Sequence, residues 1–409
     1  MVRPMNGGTA RLDKPHILIA GGGIGGMVAA LALQQRGFPV DVYEAAAELK
    51  ELGAGVQIAP NGTRVLCALG LREPMEAIAS IPAGKEVRLF STGQAWKLHD
   101  LGAESEGRWG APYWMVHRGD FHRALLDAFR ARAPGRLHAG KRCVGVDSDE
   151  NGVTLRFGDG EEVRGDVLVG ADGVHSRVRE ALFEEARATF TGFVAWRGVV
   201  PMADLPERMR RPYGTNWIGP HGHVVTYPLR RGELMNFVAA IERDDWQVES
   251  WSTAGSVEEC QADFAAWHPD VQEIVGHIDT PYKWALLGRD ALPHWSQGRV
   301  TLLGDACHPT LPFLAQGANM AIEDGMVLAR CLDNTPDDPA DALARYETAR
   351  LDRTTRIVRG ALENVSRYHN PRLAEPDGAQ AFADQQFAQS KVKDRYDWLF
   401  DYDANTVPA

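Results

Sequence analysis

No apolar run in this sequence reaches the ~20 residues that a membrane-spanning helix needs. The stretch that comes nearest, Ile17 to Leu33, has 17 residues without a charged or polar side chain, and five of them are glycine. Glycines at that density weaken a lone lipid-exposed helix. Basic runs are also missing: the formal net charge is −11, with both signs spread along 409 residues. That balance excludes nucleic acid and anionic membrane as main partners, and leaves room only for a local positive patch serving an anionic small molecule. Cysteine is sparse, with five irregularly placed residues (Cys67, Cys143, Cys260, Cys307 and Cys331) and no CxxC pair. The spacing excludes a structural zinc site and a thioredoxin-type redox pair, so no metal centre is expected. Buried thiols in a reduced, cytoplasmic protein are the expectation, and adjacent Cys307 and His308 read as a structural pair.

What is present describes an ordinary folded chain. Hydrophobic residues make up 44% and charged residues 24%, and the length suggests two or three folding units. Residues 1 to 15 form a polar, loose leader. His16 to Ala20 reads as a strand, Met27 to Gln35 as a helix, and Val40 to Glu44 as a second strand. Between them stands Gly21-x-Gly23-x-x-Gly26. This is the β-α-β order of a dinucleotide fingerprint. Gly21 permits the tight turn, Gly23 lets backbone amides approach a pyrophosphate, and Gly26 lets the helix close on the strand. The helix N-terminus offers N–H groups and partial positive charge to the phosphates. Glu44 lies 18 positions beyond Gly26, where its carboxylate accepts the hydroxyls of an adenosine ribose. Removing Ile17 to Leu33 as a signal peptide would destroy this site.

Two more apolar runs, Asp166 to Gly170 and Arg299 to Leu303, read as strands ending beside ADG and GDA. Between them, residues 190 to 245 alternate in the strand manner and predict an antiparallel sheet inserted between pieces of the first domain. From Ala315 onward the pattern is helical, and beyond Asn370 a polar tail is expected on the surface, with YDWLFDY packing somewhere.

GADGVHSRVR (Gly170 to Arg179) and GDACHP (Gly304 to Pro309), in this order after the fingerprint, resemble the paired motifs of the class A FAD-dependent aromatic hydroxylases, the para-hydroxybenzoate hydroxylase-like flavoprotein monooxygenases. The resemblance spans about residues 16 to 360. It implies an α/β fold: a Rossmann-like FAD-binding domain with an inserted antiparallel-sheet substrate domain and a C-terminal helical segment. The FAD-binding pieces would be residues 14–75, 111–185 and 286–335, the substrate-domain pieces 76–110 and 186–285, and the helical segment 336–409. FAD is the implied cofactor, and NADH or NADPH a transient co-substrate without its own fingerprint. Residue by residue, Asp305 matches the acid that binds the flavin ribityl chain. Asp172 and Gly173 match the motif serving FAD and NAD(P)H, with Ser176 and Arg179 completing it; Arg179 reads equally well as a structural ion-pair residue. Arg118 matches an arginine reaching FAD at a helix entry, and Val144 sits where backbone groups meet adenine.

In LAQGANMAIEDG a helix is expected to begin near Gly317. The amides of Gly317, Ala318 and Asn319 would then point from its positive end at the flavin N1/C2 carbonyl and stabilise anionic reduced flavin. Pro309 matches the residue beside the reactive face of the flavin, and His308 matches a scaffold residue. The mechanism implied by the resemblance passes through a flavin C4a-hydroperoxide that attacks an electron-rich ring, helped by a base at a phenolic hydroxyl.

The strand HVVTY places His223, Val225 and Tyr227 on one face, with His223 and Tyr227 ~13 Å apart. The stretch around it resembles that of the salicylate, 3-hydroxybenzoate and 6-hydroxynicotinate hydroxylases, in which a histidine at the His223 position faces substrate. His223 and Tyr227 are therefore the candidate catalytic pair, His223 being suited to take a phenolic proton, and His221 reads as a loop residue. LGAGVQIAPN (Leu52 to Asn61) resembles the same subgroup and brings Gln57 to flavin or substrate. Two departures keep any one substrate from being carried over. The 6-hydroxynicotinate enzymes carry histidine where Gln57 stands, and the actinobacterial 3-hydroxybenzoate 6-hydroxylases carry glutamine where Pro312 stands. The shared expectation is a small hydroxy-aromatic or hydroxy-heteroaromatic carboxylate, with O2, whose carboxylate needs a cationic or amide partner; Arg197 is a candidate. A homodimer is implied by family alone. Competing readings are a flavin halogenase, against which the missing WxWxIP signature weighs, a reductase of the same fold, and a non-catalytic FAD-binding protein.

Overall fold

The computed structural model describes residues 14–48, 54–183, 189–245, 253–288 and 291–409. Most of the leader, and Leu52 and Gly53 of the LGAGVQIAPN stretch, lie outside the described residues. Within them, a six-stranded sheet runs in the order Ser296–Gln297, Val300–Leu302, Val167–Gly170, Ile17–Ala20, Val40–Glu44, Leu137–Ala139. Its pairings are parallel except at the Ser296–Gln297 edge. Ile17–Ala20 is buried along its whole length, which is why it is apolar throughout and does not alternate. The helix Ile24–Gln35 starts three residues before the Met27 expected from its Ala/Leu content. Ile24, Gly25 and Gly26 already lie in helix because the turn ends at Gly23, the N-cap.

A second, seven-stranded sheet has the order Tyr282–Gly288, Thr189–Pro201, Leu234–Glu242, Gly222–Leu229, Tyr213–Gly219, Gly84–Leu89, Ala95–Asp100. The expected antiparallel sheet is present with one correction: Gly84–Leu89 pairs with Tyr213–Gly219 in parallel. The two segments are far apart in sequence, so no hairpin constrains their direction. One face of this sheet packs on helices Val257–Asp263 and Pro269–Gly276 through Val224, Phe237, Phe264, Val271 and Ile274. The opposite face, bearing His223, Val225 and Tyr227, turns toward the cofactor domain.

The tail corrects the sequence expectation. After the helices Gly317–Asn334 and Pro339–Tyr368, the chain forms Pro376–Gln386 and Gln389–Phe400. Phe382, Phe387, Val392, Tyr396, Leu399 and Phe400 are buried in one cluster with Val87, Leu89, Tyr113 and Tyr227. The tail is therefore a wall of the second domain. Its polar composition misleads because each short helix buries only one narrow stripe. All five cysteines are free, and no described helix is long and apolar enough to cross a membrane.

Candidate active site

The fingerprint turn shows why it is built of glycine. Gly21 has φ +108°, and a Cβ there would lie 2.3 Å from the Ala171 carbonyl oxygen. At Gly26 a Cβ would lie 2.0 Å from the Gly21 carbonyl oxygen, whereas at Gly23 it would meet nothing within 4 Å. Gly21 and Gly26 are thus required by packing. Gly23 borders open space at the helix N-terminus, as an anion-binding turn demands. Glu44 ends the neighbouring strand, and its carboxylate is fixed by N–H donors from Gly22 at 2.8 Å and Ala46 at 2.7 Å.

The two downstream acidic motifs meet beside this turn but differ in character. The Asp172 carboxylate accepts from Ser176 Oγ and from the amides of Arg177 and Val178, so it organises its own loop. Burial raises its pKa and those hydrogen bonds oppose the rise. Arg179 donates to the carbonyls of Val174 and Ala306, a structural tie from the DG motif to the GD motif. Asp305 is exposed by surface area although surrounding protein desolvates its carboxylate and raises its pKa, with His308 and Arg118 acting the other way. It is an exposed acid with the charges of His308 and Arg118 near it. Arg118 begins the helix Arg118–Arg132. Val144 is the unpaired extra residue of a bulge between Cys143 and Gly145 and is 57% exposed. A bulge residue keeps backbone groups outside the ladder.

The helix Gly317–Asn334 starts where the sequence predicts. Its first intrahelical donor is Met320, bonded to the Gln316 carbonyl, so the amides of Gly317, Ala318 and Asn319 find no acceptor among the described residues. The Asn319 side chain accepts from Ala59 N at 2.9 Å and donates to the Gln57 carbonyl at 3.1 Å. Gln57 is thereby strapped to the positive end of this helix. Behind it lies a fully buried ion network that the sequence analysis missed. Arg350 pairs with Glu323 and Asp324, each at 2.7 Å; Arg353 pairs with Glu323 at 2.7 Å; and Asp324 holds His308 Nε2 at 2.7 Å. Burial opposes a charged His308, yet Cys307 and Asp324 beside it hold its pKa well above the ordinary value. His308 is thus tied into the scaffold through Asp324, and half-buried Pro309 follows it.

The sheet face completes the site. His223 is 3% exposed; its Nδ1 is 2.7 Å from His369 Nε2, and its ring stands edge-on to Phe313 at 4.8 Å. Phe313 belongs to the turn Pro312–Leu314 that leads into the Gly317 helix, so His223 lies against the entry to the cofactor helix. His369 Nδ1 is 3.4 Å from Glu242 Oε1, and Glu242 Oε2 is 2.7 Å from His221 Nδ1 at the surface. Burial, then the neighbouring His369, push the His223 pKa well below its ordinary value, while burial lowers that of His369 to about 4. Both rings are neutral at neutral pH. Tyr227, four residues along, is buried and packs on Gly55, where a Cβ would lie 2.5 Å from the Tyr227 ring. Its hydroxyl has no partner among the described residues.

Gln57 Oε1 accepts from Lys85 Nζ at 2.9 Å and from Tyr113 OH at 2.7 Å. Burial pushes the Lys85 pKa down to about 8. The sequence carried a signal for this lysine that went unread: in Lys85-Glu86-Val87-Arg88-Leu89 it shares the apolar parity of Val87 and Leu89. His369, at the end of a 30-residue helix, carried none. Arg197 is buried on the same sheet face near the far edge, stacked over Tyr282 and Trp284 at 5.3 and 5.5 Å.

Comparison with known proteins shows the family. A family model described as an FAD-binding domain matches residues 14–361. A 3-amino-4-hydroxybenzoate 2-monooxygenase of Streptomyces platensis is 40% identical over 96% of this chain and 98% of its own. A 3-hydroxybenzoate 6-hydroxylase of Polaromonas naphthalenivorans is 39% identical over 87% of this chain and 88% of its own. Among solved structures, Klebsiella pneumoniae HpxO complexed with FAD and uric acid superposes with a TM-score of 0.80 at 29% identity, covering 93% of this chain and 96% of that one.

Proposed function

The chain belongs to the FAD-binding-domain family of flavoprotein monooxygenases, and on that premise we propose that it hydroxylates the ring of a small hydroxy-aromatic carboxylate with NAD(P)H and O2. The residues present fit FAD. Gly23 leaves open space before a helix N-terminus, Asp305 offers an exposed carboxylate, and three amides at Gly317–Asn319 have no acceptor among the described residues. The fingerprint and Glu44 would hold the adenosine pyrophosphate, Arg118 and the Val144 backbone its flanks, and Asp305 the ribityl chain. Bound FAD supplies the two-electron reduction by nicotinamide and the activation of O2.

One observation carries the reading beyond cofactor binding: the buried, neutral His223 lies against the Phe313 turn that delivers the cofactor helix. A substrate ring on this sheet face would meet His223 at one end and Tyr227 at the other. His223 takes a phenolic proton, and His369, Glu242 and His221 offer it a route outward. Pro309 and Gln57 would border the ring on the cofactor side. The relative of 40% identity names an amino-hydroxybenzoate, which heads the substrates to try. On this reading the enzyme works in the cytoplasm, and the homodimer of its family is the assembly expected of it.

The test is direct. Purified protein should show the absorbance of bound flavin and oxidise NADH or NADPH faster with 3-amino-4-hydroxybenzoate, 3- or 4-hydroxybenzoate, salicylate or 6-hydroxynicotinate, and chromatography should reveal the hydroxylated product. Nucleotide consumption that yields only hydrogen peroxide with every compound would defeat the proposal. Asp305→Ala should weaken FAD affinity by about 10–150-fold, the worth of one charged hydrogen-bond acceptor, read as flavin content after gel filtration. An unchanged flavin content would remove Asp305 from the cofactor site.

A further inference from the structure

Lys85 is a buried cation in search of an anion. The residue is 9% exposed, and among the described residues its ammonium meets only neutral partners, Gln57 Oε1 at 2.9 Å and Tyr113 OH at 3.5 Å. Among the described residues no carboxylate pairs with it. The neighbouring Glu86 points to the other sheet face, where Arg88, Arg211 and Thr215 occupy it. Proteins seldom leave a buried charge in this state unless a ligand completes it.

Its position is as telling. Lys85 pairs in register with Gly214, and the adjoining Thr215 pairs with Thr226, so Lys85 and Tyr227 project from the same face. Gly214 stands between their strands. A Cβ there would lie 2.6 Å from Met115 Cε and 3.4 Å from Lys85 Cγ, so the glycine makes the room in which the lysine stem folds toward Gln57. Three donors here have no acceptor of their own among the described residues: the remaining Lys85 N–H, the Gln57 amide NH2 and the Tyr227 hydroxyl. The orientation of the Gln57 amide is fixed, because a lysine can only donate to its oxygen.

We propose that Lys85 is the anchor for the carboxylate of the aromatic substrate, with the Gln57 amide and the Tyr227 hydroxyl as its neutral co-donors. The assignment rests on the hydroxy-aromatic carboxylate reading above and sharpens it. The anchor lies at the Tyr227 end of the face and the base His223 at the other, four residues along one strand, ~13 Å at 3.3 Å per residue. A ring held this way turns a hydroxyl para or meta to its carboxylate toward His223. An ortho hydroxyl stays at the Lys85 end, so salicylate fits worse than 4- or 3-hydroxybenzoate.

The experiment uses the oxidised holoenzyme and the change in flavin absorbance on titration with benzoate, and with phenol as the uncharged control. Lys85→Met should weaken benzoate binding by about 10–150-fold and leave phenol binding unchanged, while Lys85→Arg restores part of the loss. The methionine variant should stay folded, because it replaces a buried charge with an apolar chain of similar length; its flavin content checks this. Benzoate binding that ignores the Lys85→Met exchange, or wild-type protein that never binds benzoate, overturns the anchor. Turnover separates the two readings. Hydroxylation by a wild-type enzyme whose benzoate binding ignores Lys85 would leave the function standing without the anchor. Lys85-dependent benzoate binding without any hydroxylated product would keep the anchor and defeat the function.

Discussion

Exchanging His223 for asparagine is expected to slow ring hydroxylation by about 10²–10⁴-fold, the usual worth of a positioned base, while FAD stays bound. The argument begins with the ring's two nitrogens. Nδ1 is engaged by His369 Nε2 at 2.7 Å, and Nε2 has no partner among the described residues. If Nδ1–H donates to His369, Nε2 carries the free lone pair and can accept a proton. Burial keeps the ring neutral at assay pH. Asparagine preserves a polar contact but cannot take a proton. The pH profile provides a second check. Activity that needs neutral His223 is present above its pKa and is lost as pH falls through it, so the acid limb should lie well below 6.5, the ordinary value for histidine. An acid limb at the ordinary histidine value, with an unaltered rate in the asparagine variant, would dismiss His223 as the base.

Arg350→Met should cost the fold about 3–5 kcal/mol, the range seen when one partner is removed from a buried ion network. Arg350 is fully buried and neutralises Glu323 and Asp324 at once. Without it, Arg353 and Asn61 still face Glu323, but among the described residues Asp324 keeps only His308 and the Gly304 amide. The Gly304 turn carries Asp305, so flavin occupancy should fall together with stability. Chemical unfolding of the two proteins, with and without added FAD, measures both. Equal midpoints would show that the network is dispensable.

The residues that could be read from sequence are those whose demands are local. A β-α-β turn needs glycines at fixed offsets and an acid at the next strand end, and Gly21 to Glu44 met those demands in order. The start of the Gly317 helix was legible for a similar reason, since glycine and amide-rich residues precede a clear helical pattern. Period-two alternation alone put His223 and Tyr227 on one face. What escaped depended on distant segments. The parallel pairing of Gly84–Leu89 with Tyr213–Gly219 joins strands with no local link, and with it went the neighbourhood of Lys85. His369 reaches His223 only because the long helix Pro339–Tyr368 ends beside the sheet. The Glu323–Asp324–Arg350 network was visible as ordinary helix-face charge, and nothing in its spacing distinguishes an ion pair in the core from one in water.

The order of strands in the cofactor sheet also has a consequence for biosynthesis. Ile17–Ala20, the first strand of the described residues, sits in the middle, with Val167–Gly170 on one side and Val300–Leu302 beyond it. It must therefore wait for Val300–Leu302 before its sheet closes. His223 likewise waits for a partner 146 residues downstream. Pairings of such high sequence separation fold slowly and leave apolar edges open meanwhile. A nascent chain stalled before the terminal helices would expose Val87, Leu89 and Tyr227, which those helices cover in the finished protein. Yield in a foreign host should accordingly respond more to chaperone supply and growth temperature than to any single codon or surface residue.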